Sequence, residues 1–170
     1  IAFISERSDS SPFYEKRMKG YQAAMQHYFH DTNALAAEID FFREKTPESD
    51  KAIEADICSF LDKHPDATSI ITTNLAIVQI YKHLIKKQVP PGKYTILVFD
   101  SAERMDFIPY QNLIIIDQCP YKIGYLAAEQ LHLQITQHAT LQNIDVPERF
   151  VAHKGNSTDI SPITSINIQE

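Results

Sequence analysis

The chain has 170 residues, of which 44% are hydrophobic, and its formal net charge at pH 7 is −6. That size and composition fit one globular domain with a buried core, or one lobe of a larger protein. The excess of acidic residues argues against a nucleic-acid-binding surface in this segment, because phosphate contacts require clustered Lys and Arg. The sequence also lacks an apolar run that approaches the length of a membrane span.

Strand-like and helix-like segments alternate along the first part of the chain. The apolar run at 1–4 predicts a buried strand. Ser11 and Pro12 are typical of a helix start, because Ser caps the backbone and Pro fits the first helical position. A second strand is expected at 36–42, and a second helix, opened in the same way, at 47–64.

A third strand is expected at 69–73, followed by a third helix at 75–87. This helix is apolar over more of its circumference than a single buried stripe needs. The extra width indicates either a subunit contact or deep burial between helices, and the pattern favours neither. Leu75, Val78, Tyr81 and Ile85 form one side, with Ile77, Ile80 and Leu84 beside them.

The second half of the chain continues the alternation and ends in a polar tail that we expect to be loosely held. Alternating strands and helices predict an α/β fold with a mainly parallel sheet and right-handed crossovers. The predicted segments are a strand at 94–99, an irregular loop at 101–112, a strand at 113–116, a helix from Pro120, a strand at 146–152 and the tail from 154.

The motifs of several enzyme classes are absent. The four glycines are scattered, which excludes a phosphate-binding loop or a dinucleotide fingerprint, and there is no nucleophile elbow. His27 and His30 have a spacing that could bind a metal, but no third ligand is apparent, and we interpret them as solvated. Glu6, Asp9 and Glu15 lack a positioned acid–base partner. We therefore expect neither an enzyme nor a metal or other cofactor.

The two cysteines, Cys58 and Cys119, are far apart in the sequence. They are compatible with a disulfide, but two reduced thiols fit a cytosolic protein better.

Polar side chains follow the predicted strands at the points where those strands end. They include Asn74 after the third strand, Asp100 after the fourth and Gln118 after the fifth. Because a small ligand binds at the carboxyl ends of the strands in an open α/β sheet, this pattern indicates a small-molecule binding module.

Five short motifs occur in an order that identifies a resemblance over roughly residues 1–157. The chain resembles the ligand-binding core of LacI/GalR-type transcriptional regulators, which share their fold with periplasmic sugar-binding proteins. The motifs are an Arg-x-x-Gly-Tyr-x-x-Ala helix within 15–24, a strand end at 69–74, Val89-Pro90 with a strand at 96–100, a segment from 116 to 128, and Val146-Pro147-Glu148.

The resemblance implies a parallel-sheet sandwich of the periplasmic-binding-protein type I class, mainly the C-terminal lobe with part of the N-terminal lobe. It divides the chain into a C-terminal-lobe core at 1–112, a strand and helix of the N-terminal lobe at 113–136, a return segment at 137–157 and a tail at 158–170. In the family, a DNA-binding segment and the first half of the N-terminal lobe precede this stretch. We expect a second copy of the chain to cover the 113–136 face, or that face to pack differently.

The resemblance also implies five ligand-binding residues, with no catalytic or metal-binding ones. Arg17 would donate to ligand hydroxyls or a carboxylate, Asp100 would accept from hydroxyls, Asn74 would do both, Gln118 would lie between the lobes, and Phe42 or its neighbour Phe41 would stack on a sugar ring.

Each of these residues also has a structural interpretation. Arg17 could instead form an ion pair with Glu6 or Glu15, Asn74 could cap the third helix, and Asp100 could cap the following turn. The two phenylalanines could belong to the core.

The implied function is that of an effector-binding domain of a bacterial transcriptional regulator. A sugar or small polar metabolite would be the effector, and DNA would be bound by a domain outside this chain. A homodimer in the cytoplasm is expected, without membrane association. The alternatives are a periplasmic sugar-binding protein of a transporter and a small α/β enzyme.

Overall fold

A computed structural model describes residues 1–7, 9, 11–31, 33–90, 92–100, 112–138, 140, 142–153 and 161–162. At Asp100, His153, Ser161 and Pro162 it describes the backbone alone. The predicted loop at 101–112, apart from Asn112, and most of the predicted tail lie outside the described residues.

The order of helices and strands predicted from the sequence is confirmed, with one short strand added near the end. The elements are β1 (Ala2–Glu6), α1 (Pro12–Phe29), β2 (Leu35–Ile39), α2 (Pro47–Lys63), β3 (Ser69–Thr73), α3 (Asn74–Lys86), β4 (Thr95–Asp100), β5 (Leu113–Asp117), α4 (Pro120–Gln137), β6 (Arg149–His153) and β7 (Ser161–Pro162).

All seven strands form one sheet in the order β2-β1-β3-β4-β5-β6-β7. The strands from β1 to β5 are parallel to their neighbours, whereas β6 and β7 run antiparallel. This arrangement confirms the predicted α/β class with a mainly parallel sheet. It also directs the carboxyl ends of all five parallel strands, β1 to β5, to one edge.

Strand β5 begins at the predicted boundary at residue 113 and continues the sheet across it. β5 is hydrogen-bonded to β4 on one side and to β6 on the other, with Val98 opposite Ile115 and Ile115 opposite Val151. The strand therefore lies in the same sheet as the strands of residues 1–112, and the division of the chain into lobes stays a prediction. A buried apolar strand needs hydrogen-bonding neighbours on both sides, and β4 and β6 supply them.

The sheet has different cover on its two faces. Helices α2 and α3 pack on one face, where the main core contains Ile4, Ile57 and Ile80. Helix α1 packs on the other face through a smaller cluster of Phe3, Met18, Tyr21 and Met25. The Tyr21 hydroxyl lies 2.8 Å from the carbonyl of Ile1 and 3.1 Å from that of Leu35, which ties α1 to the start of β1 and β2.

The apolar width of helix α3 left two interpretations open, a subunit contact and deep burial between helices, and the exposure of its side chains decides against the second. Ile77, Ile80 and Leu84 are buried, but Leu75, Val78 and Ile85 remain exposed. Deep burial between helices therefore does not account for this second face of α3.

Helix α4 has no buried residue. Its exposed apolar side chains include Ile123, Leu131 and Ile135. Within the described part of the chain, this helix thus leaves its apolar stripe uncovered.

Candidate functional site

The candidate site lies at the edge of the sheet where the five parallel strands, β1 to β5, end. Thr73 is opposite Phe99, and Asp100 is opposite Asp117 in the strand register. Strand β1 ends beside them at Glu6. Since side chains at the ends of adjacent parallel strands are neighbours, residues far apart in the sequence are gathered here.

Arg17 is held between two aromatic rings at this edge. Its guanidinium carbon lies 3.9 Å from the centroid of the Phe13 ring and 4.1 Å from that of Phe99. Both distances are within the range of cation–π attraction, which also fixes the plane of the guanidinium group. Burial lowers the pKa of Arg17, and the nearby carboxylate of Glu6 opposes that shift. The arginine remains charged at neutral pH, so it offers several donors from a fixed position.

The ion pairs proposed as alternatives for Arg17 do not form among the described residues. Glu15 pairs instead with Lys19, at 2.6 Å across one turn of α1. Glu6 acts on the charge of Arg17, yet no salt bridge within 4.0 Å joins the two side chains in the described part of the structure. The interpretation of Arg17 as a member of a surface ion pair is therefore not supported.

Glu6 is a buried acid at the end of β1 whose importance the sequence reasoning missed. Only 1% of the residue is exposed. Its Oε1 accepts a hydrogen bond of 2.8 Å from the hydroxyl of Thr73, whereas its Oε2 has no hydrogen-bond partner among the described residues. The available signal was a carboxylate directly after four apolar or small residues of a buried strand.

Aromatic side chains line the rim beside Arg17. The rings of Phe13 and Tyr14 lie 5.7 Å apart, and those of Tyr14 and Phe42 lie 6.4 Å apart. Phe42 is 60% exposed, whereas Phe41 packs against the core. The core interpretation thus holds for Phe41 alone, and the exposed ring of Phe42 is free to stack on a ligand.

The charges of Glu6 and Arg17 both act on the pKa of the Tyr14 hydroxyl group. Burial raises the pKa of Tyr14, and the carboxylate of Glu6 raises it further, so the phenol stays protonated at neutral pH. A protonated phenol can both donate and accept a hydrogen bond.

Asn74 lies at the first position of α3, half-buried and directly after β3. The residue at the N-cap is Thr73, and no side-chain hydrogen bond caps the helix. The interpretation of Asn74 as the capping residue is therefore wrong. Its amide group has no capping role that competes with ligand contact.

Asp100 and Gln118 occupy the ends of the next two strands. The backbone of Asp100 pairs with Asp117, and the structure does not describe the Asp100 side chain. Gln118 follows β5 directly and is half-buried. Both residues are thus placed at the predicted edge, in the order that the sequence indicated.

Asp117, by contrast, has its carboxylate engaged inside the protein. It is 3% exposed, forms an ion pair with Arg149, and accepts a 3.0 Å hydrogen bond from the backbone N–H of Cys119. The hydrogen bond and the negative charge of this site raise the pKa of Arg149. Asp117 thus joins the end of β5 to the start of β6. A cavity of about 440 Å³ beside this pair is lined by Asp117, Cys119, Pro120, Tyr121, Lys122, Pro147 and Arg149.

Metal-binding and membrane-spanning features are not found in the described residues. No group of three or more His, Cys, Asp or Glu side chains there is arranged to hold a metal ion. No helix in the same part of the chain has the length and apolar character needed to cross a membrane. Both cysteines are free thiols.

Comparisons with known proteins identify the fold. No protein-family model and no curated protein sequence matches the chain. Solved structures do match, among them the transcriptional regulator CelR in complex with cellobiose, at 17% identity and a TM-score of 0.67. That match covers 91% of this chain and 46% of CelR.

Two further structures give the same result. A LacI-family regulator from Arthrobacter sp. FB24, in complex with lactose, is 16% identical with a TM-score of 0.65, and the match covers 91% of this chain and 55% of the regulator. A putative transcriptional regulator LacI from Bacillus cereus subsp. cytotoxis NVH 391-98 is 20% identical with a TM-score of 0.63, over 92% and 54%. The chain thus has the fold of LacI-type regulators and spans about half the length of those it matches.

Proposed function

We propose that this chain is the effector-binding domain of a bacterial transcriptional regulator, and that its effector is a sugar or a related small polar metabolite. The observation that carries the proposal is the half-buried guanidinium of Arg17, held between two rings at the carboxyl edge of a parallel sheet. The fold supports it as well, since two of the matched regulators were solved with cellobiose and with lactose.

Five residues are proposed to contact the effector. Arg17 donates to ring or linkage oxygens from its fixed plane. Asn74 donates and accepts at the start of α3, and Asp100 accepts from hydroxyl groups. Gln118 contacts the ligand where the chain leaves β5, and the exposed ring of Phe42 stacks on a sugar face.

Regulation requires that the ligand bind one arrangement of two lobes better than another. An effector held between the lobes shifts the population toward the arrangement that it prefers, and DNA affinity changes by linkage. Because β5 lies in the main sheet, we place the crossing to the second lobe at Gln118, so that α4 belongs to that lobe. DNA contact is assigned to a domain outside this chain, in a cytoplasmic homodimer.

The site assignment is tested by titration calorimetry with a sugar panel that includes cellobiose and lactose. We expect the double variant Arg17→Ala, Asp100→Ala to bind the best sugar about a hundredfold more weakly, because two charged hydrogen-bonding groups are lost.

The control removes a surface ion pair away from the site. Lys87 Nζ lies 3.0 Å from Asp62 Oδ2 and follows the C-terminal end of α3, the opposite end of that helix from Asn74. The variant Lys87→Ala, Asp62→Ala should keep the affinity of the unsubstituted protein. Unchanged affinity in the Arg17 and Asp100 variant would refute the site, and a full panel without binding would refute the proposed effector class.

A further inference from the structure

The buried carboxylate of Glu6 has a hydrogen-bonding deficit that the described residues do not resolve. Thr73 satisfies Oε1 at 2.8 Å, and Oε2 has no partner there. An acceptor buried without a donor costs free energy, so such a group calls for an explanation. Its position at the edge of the sheet, among the proposed ligand contacts, makes a ligand the natural source of the missing donor.

The charge of Glu6 also bears on which ligands Arg17 can bind. A lone arginine held in a fixed plane fits a carboxylate or phosphate, which accepts two parallel hydrogen bonds. Here the carboxylate of Glu6 already acts on Arg17 from within the protein. In a partly buried site this interaction is screened less than in water, so an incoming anion would be repelled by Glu6 as well as attracted by Arg17.

We propose that Glu6 determines the charge class of the effector, so that the site accepts neutral, hydroxyl-rich sugars and rejects acidic ones. This inference rests on the proposed function. A hydroxyl group can donate to Oε2 and accept from Arg17 at the same time. A carboxylate or phosphate can do only the second, and it brings a like charge toward Glu6. Thr73 acts as a positioning residue, because its hydroxyl holds the carboxylate by Oε1.

The test compares pairs of ligands that differ only in one hydroxymethyl group replaced by a carboxylate. The pairs are glucose and glucuronate, galactose and galacturonate, and cellobiose and cellobiouronate. With the unsubstituted protein, we expect calorimetry to show that, in each pair that binds, the neutral sugar binds at least tenfold more tightly than the acidic one. This measurement needs no variant, so a folding defect cannot obscure it.

The variant Glu6→Gln then removes the charge while keeping the size of the side chain and an acceptor for Thr73. We expect the preference for the neutral member to fall at least fivefold. The matched control is Glu54→Gln, the same substitution on the partly exposed surface of α2, which should keep the original preference.

The outcomes separate this inference from the function on which it rests. Binding of sugars with no preference, or with a preference for the acidic member, overturns the role of Glu6 and leaves the sugar-binding function standing. A preference unchanged by Glu6→Gln likewise overturns it. The absence of binding by every member of every pair overturns both.

Discussion

Two arginines at the same edge of the sheet have different surroundings, and the difference indicates which one is available to a ligand. Arg149 is neutralised by Asp117, whose other oxygen is held by a backbone N–H. Arg17 has aromatic rings on both sides and lacks a salt bridge in the described part of the chain. A cation stabilised by ring faces keeps its N–H donors directed outward in its own plane, where a ligand can accept from them.

The protonation of His83 makes the stability of the fold depend on pH. It is 5% exposed in α3, with Nε2 3.5 Å from Oδ1 of Asp62. Burial lowers the pKa of His83, and Asp62 opposes this shift only in part. The unfolded state therefore binds the proton more readily, so the free energy of unfolding should fall as pH drops below about 6.5 and continue to fall until His83 is protonated in the folded state too.

Replacement of the imidazole should flatten this dependence. We expect His83→Gln to reduce the slope of the unfolding free energy between pH 7 and pH 5, by at most about 1.4 kcal/mol per pH unit. Urea unfolding at each pH provides the measurement. The control is His132→Gln at an exposed position of α4, and an equal reduction in both variants would contradict the role of His83.

At the scale of elements, local signals in the sequence placed the helix starts well. Ser11 and Thr46 precede prolines, and both act as N-caps in the structure. The end of β2 was predicted three residues too late. Apolar character continues through Phe41 and Phe42, but the carboxylate of Asp40 accepts from the Phe42 backbone N–H and turns the chain.

Part of the candidate site could not be predicted from the sequence. Strand ends are local features, so the positions of Asn74, Asp100 and Gln118 at one edge of the sheet could be predicted. The bond between Thr73 and Glu6 spans 67 residues, and the Phe99 ring reaches Arg17 from another strand. Such contacts depend on sheet order, which periodicity does not encode.

The capping box of α2 is the best-defined local interaction among the helix starts. The N–H of Ser49 donates to the Thr46 hydroxyl at 3.1 Å, and the N–H of Thr46 donates to the Ser49 hydroxyl at 3.0 Å. We expect Thr46→Ala to lower the free energy of unfolding by about 1 kcal/mol.

Chemical denaturation monitored by circular dichroism gives this value directly. Ser59→Ala is the control, because Ser59 is exposed in the middle of the same helix, where alanine has the higher helix propensity. If Thr46→Ala is as stable as Ser59→Ala, the capping interaction does not contribute to stability as predicted.

In the described part of the molecule, the apolar faces of α3 and α4 are both uncovered, and the two helices differ in how firmly they are held. Helix α3 is anchored by Ala76, Ile77, Ile80 and Leu84 in the main core. Helix α4 contributes no buried residue. Because a rigid, pre-positioned surface pairs with less loss of conformational entropy, α3 is the better candidate for a symmetric contact.

The exposed side of α3 therefore carries our prediction for the homodimer. Leu75, Val78 and Ile85 lie on one side of the helix, and Ile85 is 60% exposed. A charge placed within an apolar contact would be buried without a partner, so Ile85→Glu should raise the dimer dissociation constant at least tenfold, as measured by sedimentation equilibrium.

The matched control is Ile135→Glu on α4, where the original side chain is 68% exposed. Both substitutions add one negative charge to a chain that already carries −6, so general repulsion affects them equally. Selective dissociation by Ile85→Glu identifies α3 as the contact. Selective dissociation by Ile135→Glu would transfer it to α4, and a chain that sediments as a monomer at every concentration would remove the dimer from the proposal.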